Sequence, residues 1–326
     1  MANHPTDELT LISVAKMYYW EHLTQQEIAS RLHCSRTNVT RMLKQCIDFG
    51  IVKFEIKSPE TASLLHSQLL SAFPLKYLNI VKEDTHNELA ISKVGETTAH
   101  HLEEILTNEQ LIGIPYGTTI YEFVRHFHTS RNIKAEVVQL LGGVAARDPY
   151  YDGQSLVNTL QNCFLGKAHL LQAPFLMQSQ QTRELLIQEP TIHNHFELFK
   201  RLNIAVVGIG STDFTFSAMY KAGHVSKEDT TTLINQGAVA DICGIQLNSD
   251  GDICGTSITS RMIGISPHDL LNVPTRIGCA AGKEKAPAIL SALRGGYINH
   301  LIIDENAAKE ILHHLNASER KRLEKA

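Results

Sequence analysis

Apolar residues near the start of the chain recur at the spacing of amphipathic helices. They predict a first helix from Leu9 to about Trp20. A second helix is predicted after Thr24, where the sequence Thr-Gln-Gln-Glu has the form of a capping box. A third helix is predicted from Ser35 to Gly50, and its apolar positions form one stripe: Val39, Met42, Leu43, Cys46 and Ile47.

The order and spacing of these elements predict a winged helix-turn-helix domain over residues 1–57. Only a few residues around His33 and Cys34 separate the second helix from the third, as the turn of that motif requires. Residues 51–56 then alternate apolar and charged side chains, which predicts a short strand in the place of the wing.

The polar face of the third helix carries the residue types that contact DNA. Arginine can pair bidentately with guanine and asparagine with adenine, and short hydroxyl side chains reach bases or phosphates. The alternative is an ordinary solvated helix face; the capping box, the short turn and the wing in the right order favour DNA binding. The predicted DNA-binding residues are Gln25, Gln26, Ser35, Arg36, Thr37, Asn38, Thr40, Arg41 and Lys44.

Residues 58–75 are predicted to form a linker helix with leucines on one side, namely Leu64, Leu65, Leu69 and Leu70. These leucines can pack against the next domain or against a second subunit, and the pattern does not decide between the two. A dimer or tetramer is expected, because helix-turn-helix proteins usually bind two half-sites.

From residue 76 onward short apolar strands alternate with helical segments, which predicts an α/β domain over residues 76–326 with a largely parallel sheet and helices on both faces. The charged tail, residues 318–326, is expected to fray. Strands are predicted at residues 77–81, 111–114, 136–140, 169–171, 204–209, 241–246, 275–278 and 300–303, and helices at residues 87–106, 155–165, 182–188 and 285–294.

Several of the predicted strands end in loops that lead into helices, where free N–H groups favour anions. Hydroxyl groups and backbone amides at Gly117, Thr118 and Thr119 make a candidate phosphate cradle, although no Gly-Lys-Ser/Thr sequence of a P-loop follows. A plain turn explains each loop equally well when it is taken alone, and the convergence of three strand ends favours a binding site. The other two loops contain Gly142 with Gly143 and Gly210 with Ser211.

Two lysines lie near the start of another predicted helix, at Lys283 and Lys285. The helix dipole disfavours cations at the start of a helix unless they bind an anion together with the helix. The two lysines therefore indicate phosphate or carboxylate binding. The alternative is that both lysines are simply solvated.

Composition limits the function classes. The chain has 326 residues, 43% of them hydrophobic and 20% charged, which is ordinary for a globular protein. Its net charge of -4 argues against a protein coated in basic charge. That average conceals a local difference, because the segment from Arg31 to Lys57 contains six basic residues and only two acidic ones.

Other classes of site are not indicated. The N-terminus lacks the features of a secretory signal, and no apolar run approaches the roughly 18 residues of a membrane span. The six cysteines are scattered without the spacing of a zinc site, so we interpret them as reduced and cytoplasmic and predict neither metal nor cofactor. No set of nucleophile, base and orienting group is apparent, so no catalytic residue is predicted.

The chain resembles the SorC-type sugar-binding transcriptional regulators, which are grouped with the DeoR-like regulators. The resemblance covers nearly the whole chain. It rests on residues 23–32 with 35–41, on Gly113-x-x-x-Gly117-Thr118-Thr119, on residues 139–143, 207–211, 237–242 and 263–270, and on residues 282–289 with 292–296. It implies a DNA-binding domain joined to an effector domain similar to sugar-phosphate isomerases but without their activity, acting as a tetramer on operators of carbohydrate-use genes.

The resemblance also implies roles for single residues. Gly117, Thr118 and Thr119 would bind the phosphate of a phosphorylated sugar or related metabolite, and Lys285 would be the basic contact. Gln139 and Asp241 would line the pocket. The chain departs from the family pattern at Ala240 and Ala281, where glycine is usual, and either change alters the width of the pocket.

The predicted function is therefore a cytoplasmic transcriptional regulator that binds double-stranded operator DNA as a homo-oligomer and responds to a sugar phosphate. The alternative is an enzyme of the sugar-phosphate isomerase class with an incidental N-terminal helical domain.

Overall fold

The computed structural model describes residues 8–19, 21, 23–52, 59–82, 87–143, 152–221, 223 and 225–323. The chain divides into two compact units, Met1–Pro59 and Glu60–Ala326.

The first unit contains three helices around a small apolar core. They are α1 (Glu8–Tyr19), α2 (Gln25–Arg31) and α3 (Arg36–Asp48). The predicted capping box is confirmed, because the Thr24 hydroxyl accepts the Glu27 amide and the Glu27 carboxylate accepts the Thr24 amide. Ser35 caps α3 in the same way, accepting the amide of Asn38. The core consists of Leu11, Val14, Ala15, Met17, Ile28, Ala29, Val39, Met42, Leu43 and Cys46.

Most of the predicted wing, residues 53–56, lies outside the described residues. Ile51 and Val52 are described, and they form a bend that packs against the three-helix core instead of the start of a strand.

The second unit has twelve described helices and ten strands. The helices are α4 (Pro59–Ala72), α5 (Asn87–Ile105), α6 (Thr118–His126), α7 (Gly153–Gln161), α8 (Gln180–Leu186), α9 (Pro190–Phe199), α10 (Ala218–Lys221), α11 (Lys227–Asn235), α12 (Pro267–Asn272), α13 (Ala286–Arg294), α14 (Glu305–His313) and α15 (Ala317–Leu323). The strands are β1 (Tyr77–Val81), β2 (Gln110–Ile114), β3 (Ala135–Gln139), β4 (Ala168–His169), β5 (Ile204–Gly208), β6 (Gly210–Ser211), β7 (Ala240–Ile242), β8 (Ile245–Leu247), β9 (Thr275–Ala280) and β10 (His300–Asp304).

Seven of these strands form one sheet in the order β1-β10-β9-β5-β2-β3-β4, and every neighbouring pair is parallel. Alternate residues of a strand point to opposite faces, so Ile112 joins the core under α5–α7 while Leu111 joins the core on the other face. Both faces are thus covered by helices, and the predicted α/β fold with a parallel sheet is confirmed.

The prediction of one strand over residues 241–246 is wrong. The segment is an antiparallel hairpin of β7 and β8, and β6 pairs with β7 to complete a small three-stranded sheet. Cys243 and Gly244 both have positive φ, 52° and 78°, as a tight two-residue hairpin turn requires.

The expectation of a frayed tail is also wrong for its described part. Residues 317–323 form α15, and Glu319 is buried, with 4% of its surface exposed. Charge alone suggested a solvated tail, whereas a half-buried arginine, Arg294, forms an ion pair with the Glu319 carboxylate.

The leucines of the predicted linker helix are divided between core and surface. In α4, Leu65 and Leu69 are buried, and Leu69 packs with Ala72 and Phe73 in the core of the second unit. Leu64 and Leu70 are exposed. Packing against the next domain therefore accounts for Leu69.

Candidate functional sites

The parallel sheet has a point at which its connections diverge. β2 leads through α6 to β3 on one side, whereas β5 leads to β9 on the other side. The helix α6 lies on one face of the sheet, and the elements that follow β5, including α11 and α12, pack on the opposite face. A crevice therefore opens outside the carboxyl ends of β2 and β5, which is where open α/β sheets bind ligands.

The loop after β2 provides the candidate anion site in this crevice. Gly117 has φ of 147° and precedes α6, whose first residues are Thr118 and Thr119. A Cβ built on Gly117 would meet nothing within 4 Å, so the space in front of the helix is open. The first amides of α6 have no partner within the helix, and an anion can accept them together with the two hydroxyls.

A half-buried acid, Asp241, and a half-buried base, Lys285, lie in the same crevice. Burial raises the pKa of Asp241 to about 7, although the Gly244 amide, Lys285 and Gln246 act in the opposite direction. Burial lowers the pKa of Lys285, and Glu284 and Asp241 oppose that shift. The side-chain amide of Gln246 donates to Asp241 Oδ1 at 3.1 Å. The crevice therefore contains a cation and a carboxyl group whose charges are only partly balanced by the protein.

These residues line one cavity of about 100 Å³, which we call the switch-point cavity. It gathers loops that are distant in the sequence, following β2, β5, β9 and the β7–β8 hairpin. Its lining residues are Ile91, Pro115, Tyr116, Gly117, Thr118, Thr119, Leu141, Gly208, Ile209, Gly210, Met219, Asp241, Cys243, Gly244, Ala280, Ala281 and Lys285. Six residues predicted as effector-binding are thus brought together: Gly117, Thr118, Thr119, Gly210, Asp241 and Lys285.

Three predicted residues lie in the packed interior, outside this lining. The side chain of Gln139 connects two loops: its Nε2 donates to the Leu141 carbonyl at 2.6 Å, and its Oε1 accepts a hydrogen bond from the backbone amide of Leu171 at 3.1 Å. Gly142 is pressed against Pro174, where a Cβ would come within 2.5 Å of the carbonyl oxygen. The Gly143 amide donates to the Ala173 carbonyl.

Ser211 and Lys283 line a second cavity of about 520 Å³, next to α11 and α14. Ser211 directly follows Gly210, and Lys283 lies two residues before Lys285, yet both line this second cavity and not the switch-point cavity. The predicted set of effector-binding residues is therefore distributed among two cavities and the core.

Sequence reasoning missed several residues of the switch-point cavity, notably Tyr116, Met219 and Cys243. Burial raises the pKa of the Tyr116 hydroxyl, and the nearby Asp241 and Cys243 add to the shift. The sequence contained a signal for Cys243, because Cys-Gly between two isoleucines is a plausible hairpin turn. No comparable signal marks Met219, which reaches the cavity through the tertiary fold.

In the first unit, the predicted DNA-binding residues lie together on the polar side of α2 and α3. We call this set, Gln25, Gln26, Ser35, Arg36, Thr37, Asn38, Thr40, Arg41 and Lys44, the α2–α3 polar face. Its members are exposed except for Gln25 and Asn38, which are half-buried. Four residues of the predicted apolar stripe of α3 are buried in the core, namely Val39, Met42, Leu43 and Cys46, whereas Ile47 is exposed because it lies in the last turn, beyond the core contacts.

Hydrogen bonds organise the α2–α3 polar face. The Thr40 hydroxyl donates to Gln25 Oε1 at 2.9 Å and joins the two helices. Arg41 Nη2 donates to Asn38 Oδ1 at 2.8 Å, which aligns the guanidinium with the side-chain amide one turn away. The face thus presents groups that can pair with base edges, in an arrangement that is set before any partner binds.

Similarity to known proteins establishes the family to which the chain belongs. A family model described as a sugar-binding domain matches residues 57–313. The chain belongs to this sugar-binding family. Over its whole length the chain is similar to the full-length sorbitol operon regulator SorC from Klebsiella pneumoniae, with 27% identity, a TM-score of 0.72 and coverage of 94% of this chain and 100% of that one. It is accordingly a SorC-type transcriptional regulator.

Two curated relatives agree with this assignment. The deoxyribonucleoside regulator of Bacillus subtilis is 28% identical over 307 residues, which cover 93% of this chain and 97% of the relative. The transcriptional regulator LsrR of Enterobacter sp. (strain 638) is 29% identical over 313 residues, with 94% of each chain covered. These relatives are regulators, which confirms the prediction of a regulator over that of an isomerase-type enzyme.

No described helix is long and apolar enough to cross a membrane. No group of three or more histidine, cysteine, aspartate or glutamate side chains in the described part of the chain is arranged to bind a metal ion.

Proposed function

We propose that this SorC-type regulator binds a phosphorylated sugar in the switch-point cavity and operator DNA through the α2–α3 polar face. The observation that carries the first half is the open anion site at the start of α6, next to the half-buried Lys285. A phosphate group would accept the first amides of α6 and the hydroxyls of Thr118 and Thr119, with Lys285 as its counter-charge.

The sugar part of the ligand has a separate partner. Asp241 lies in the same cavity, and a carboxylate accepts hydrogen bonds from sugar hydroxyls. A ligand that has both an anionic end and hydroxyl groups therefore matches the cavity better than either a free sugar or a simple anion.

The second half of the proposal concerns the operator. Arg36, Asn38 and Arg41 lie in the first turns of α3, the part of a recognition helix that contacts base edges in the major groove. We further propose that the chain acts in the cytoplasm as a dimer or tetramer on a pseudo-palindromic site, because paired helix-turn-helix units bind paired half-sites.

A thermal-shift screen tests the effector. Glucose 6-phosphate, fructose 6-phosphate, ribose 5-phosphate, 2-deoxyribose 5-phosphate and sorbitol 6-phosphate are each compared with the free sugar or polyol and with inorganic phosphate. A ligand at 100 times its Kd stabilises the folded protein by about 2.7 kcal/mol. We expect at least one phosphorylated compound to stabilise the chain while its unphosphorylated form does not.

Two variants locate the site. Thr118→Ala and Lys285→Met should weaken the response to that compound, and Thr159→Ala, at an exposed position of α7, should not. If both cavity variants respond as the wild type does, the effector site lies elsewhere.

Operator binding is tested separately by gel retardation at a stated salt concentration, with DNA from upstream of the chain's own gene. Failure of the wild-type chain to bind this DNA, with or without each sugar phosphate, would contradict the DNA half of the proposal.

A further inference from the structure

An ion pair between the half-buried Arg294 and the buried Glu319 joins the C-terminal helix α15 to α13. Arg294 Nε donates to Glu319 Oε1 at 2.8 Å, and Arg294 Nη2 donates to Glu319 Oε2 at 3.0 Å. This two-point contact fixes the relative direction of both side chains, because guanidinium and carboxylate are planar. Arg294 Nη1 also donates to the Ser249 carbonyl at 2.7 Å. If the end of α13 moves, either α15 moves with it or the ion pair between Arg294 and Glu319 breaks.

The same short helix contacts α4 at its other side. Arg322 Nη1 donates at 2.9 Å to the carbonyl of Ala72, the last residue of α4. Carbonyl groups in the last turn of a helix have no partner within it, and a cation there is favoured by the helix dipole. Leu323 packs against the core that also contains Leu69 and Ala72. α15 therefore holds the end of the helix that follows the first unit in the chain.

The opposite end of α13 begins in the switch-point cavity. Lys285 lines the cavity and directly precedes α13, which runs without interruption from Ala286 to Arg294. Seven of its nine residues are buried, so the helix is held as one body by the surrounding core. A displacement at Lys285 is consequently passed to Arg294 at the far end.

We propose that α15 is a latch that couples the switch-point cavity to α4, through Arg294, Glu319 and Arg322. The inference rests on the proposed function, because it assigns to α15 the regulation of DNA affinity by the ligand of that cavity. Glu319 and Arg322 are positioning residues: they contact neither the ligand nor DNA, and they set the position of α4.

The first test needs neither ligand nor DNA. Amide hydrogen exchange of the full chain is measured for the wild type, Arg322→Ala and Lys321→Ala; Lys321 is the adjacent exposed residue and gives the same change in charge. Arg322→Ala should speed exchange in the last turn of α4 and in Phe73 at least tenfold, and Arg322→Lys should restore much of the protection. Unchanged exchange there in Arg322→Ala would overturn the latch.

The connection to α13 is tested by Glu319→Gln, which keeps the size of the side chain and leaves Arg322 in place. We expect faster exchange in α4 in this variant as well, again at least tenfold. Faster exchange in α15 alone, with α4 unchanged, would show that the ion pair does not act on α4 and would overturn the proposed route.

The last test concerns regulation. The operator affinity of ligand-free Arg322→Ala should differ at least fivefold from that of the wild type, while Lys321→Ala stays within twofold. Equal affinities, together with faster exchange in α4, would overturn the regulatory role of the latch. Failure of the wild-type chain to bind operator DNA would instead contradict the proposed function, and the exchange results would still decide the latch itself.

Discussion

The α2–α3 polar face and the switch-point cavity are assembled in opposite ways from one chain. All residues of the α2–α3 polar face lie between Gln25 and Lys44, on two helices joined by a short turn. The cavity draws its lining from loops between Ile91 and Lys285. Helical periodicity is enough to place the first set on one surface, whereas the second set comes together only when the order of the strands is known.

The two sites also differ in how reliably their residues can be predicted from the sequence. On a helix, a residue type in the right phase lies on the right face, so the predicted DNA-binding residues lie together on one side of α2 and α3, exposed except for the half-buried Gln25 and Asn38. At strand ends, neighbouring residues point to opposite sides. Gly210 faces the switch-point cavity while Ser211 faces the second cavity, although the two are adjacent.

The largest expected effect is the loss of operator binding in the double variant Arg36→Ala/Arg41→Ala. Each bidentate contact to a base is worth about 1–3 kcal/mol, so operator affinity should fall by roughly a hundredfold in gel retardation. The response to sugar phosphate should persist, because the cavity lies in the other unit. The control is Arg125→Ala, which removes one exposed arginine of α6, outside the α2–α3 polar face. Wild-type affinity in the double variant would remove the α2–α3 polar face from the proposed interface.

The next effect tests the close packing of Gly142 against Pro174. Gly142→Ala places a Cβ within 2.5 Å of the Pro174 carbonyl oxygen, and we expect the free energy of unfolding to fall by about 2 kcal/mol. The adjacent control is Gly143→Ala, whose Cβ would meet only the Ala173 carbonyl at 3.8 Å. Denaturant titration measures both variants. A destabilised Gly143→Ala with a neutral Gly142→Ala would contradict the assignment of these loops to packing.

A third prediction concerns pH. Because the pKa of Asp241 is raised to about 7 in the folded protein from an ordinary value near 4, the folded state binds more protons than the unfolded state between these values. Stability should therefore fall as pH rises from about 4 to 7, with a slope of at most about 1.4 kcal/mol per pH unit from this group. Asp241→Asn should flatten this part of the stability curve, and an unchanged slope in the variant would contradict the burial of the carboxyl group.

The smallest effect tests the local signals of the first unit. Thr24→Ala removes the hydroxyl that caps α2 and should cost about 1 kcal/mol of local stability. Hydrogen exchange within α2 measures this change without DNA. Thr37→Ala, at an exposed position on α3, serves as control and should leave exchange in α2 as it is in the wild type.

Much of the fold followed from local pattern. The capping box at Thr24, the N-cap at Ser35 and most of the parallel strands were predicted from the sequence, because each depends on the residues within one or two turns or on one short apolar run. The exceptions depended on distant partners. Asp241 to Gln246 forms a hairpin because β6 is available to pair with β7, and α15 forms because Arg294 accommodates Glu319.

The sequence by itself determined the two-part plan, the helices with their caps, the phase of the α2–α3 polar face and the glycine-threonine loop that opens α6, since these are properties of neighbouring residues. Only the tertiary structure decided that Asp241 and Lys285 meet this loop in one cavity, that Gln139 is used for packing, and that Ser211 and Lys283 face another cavity. The physical reason is that the order of parallel strands and the pairing of buried charges depend on contacts between residues far apart in the chain, which a local pattern does not encode.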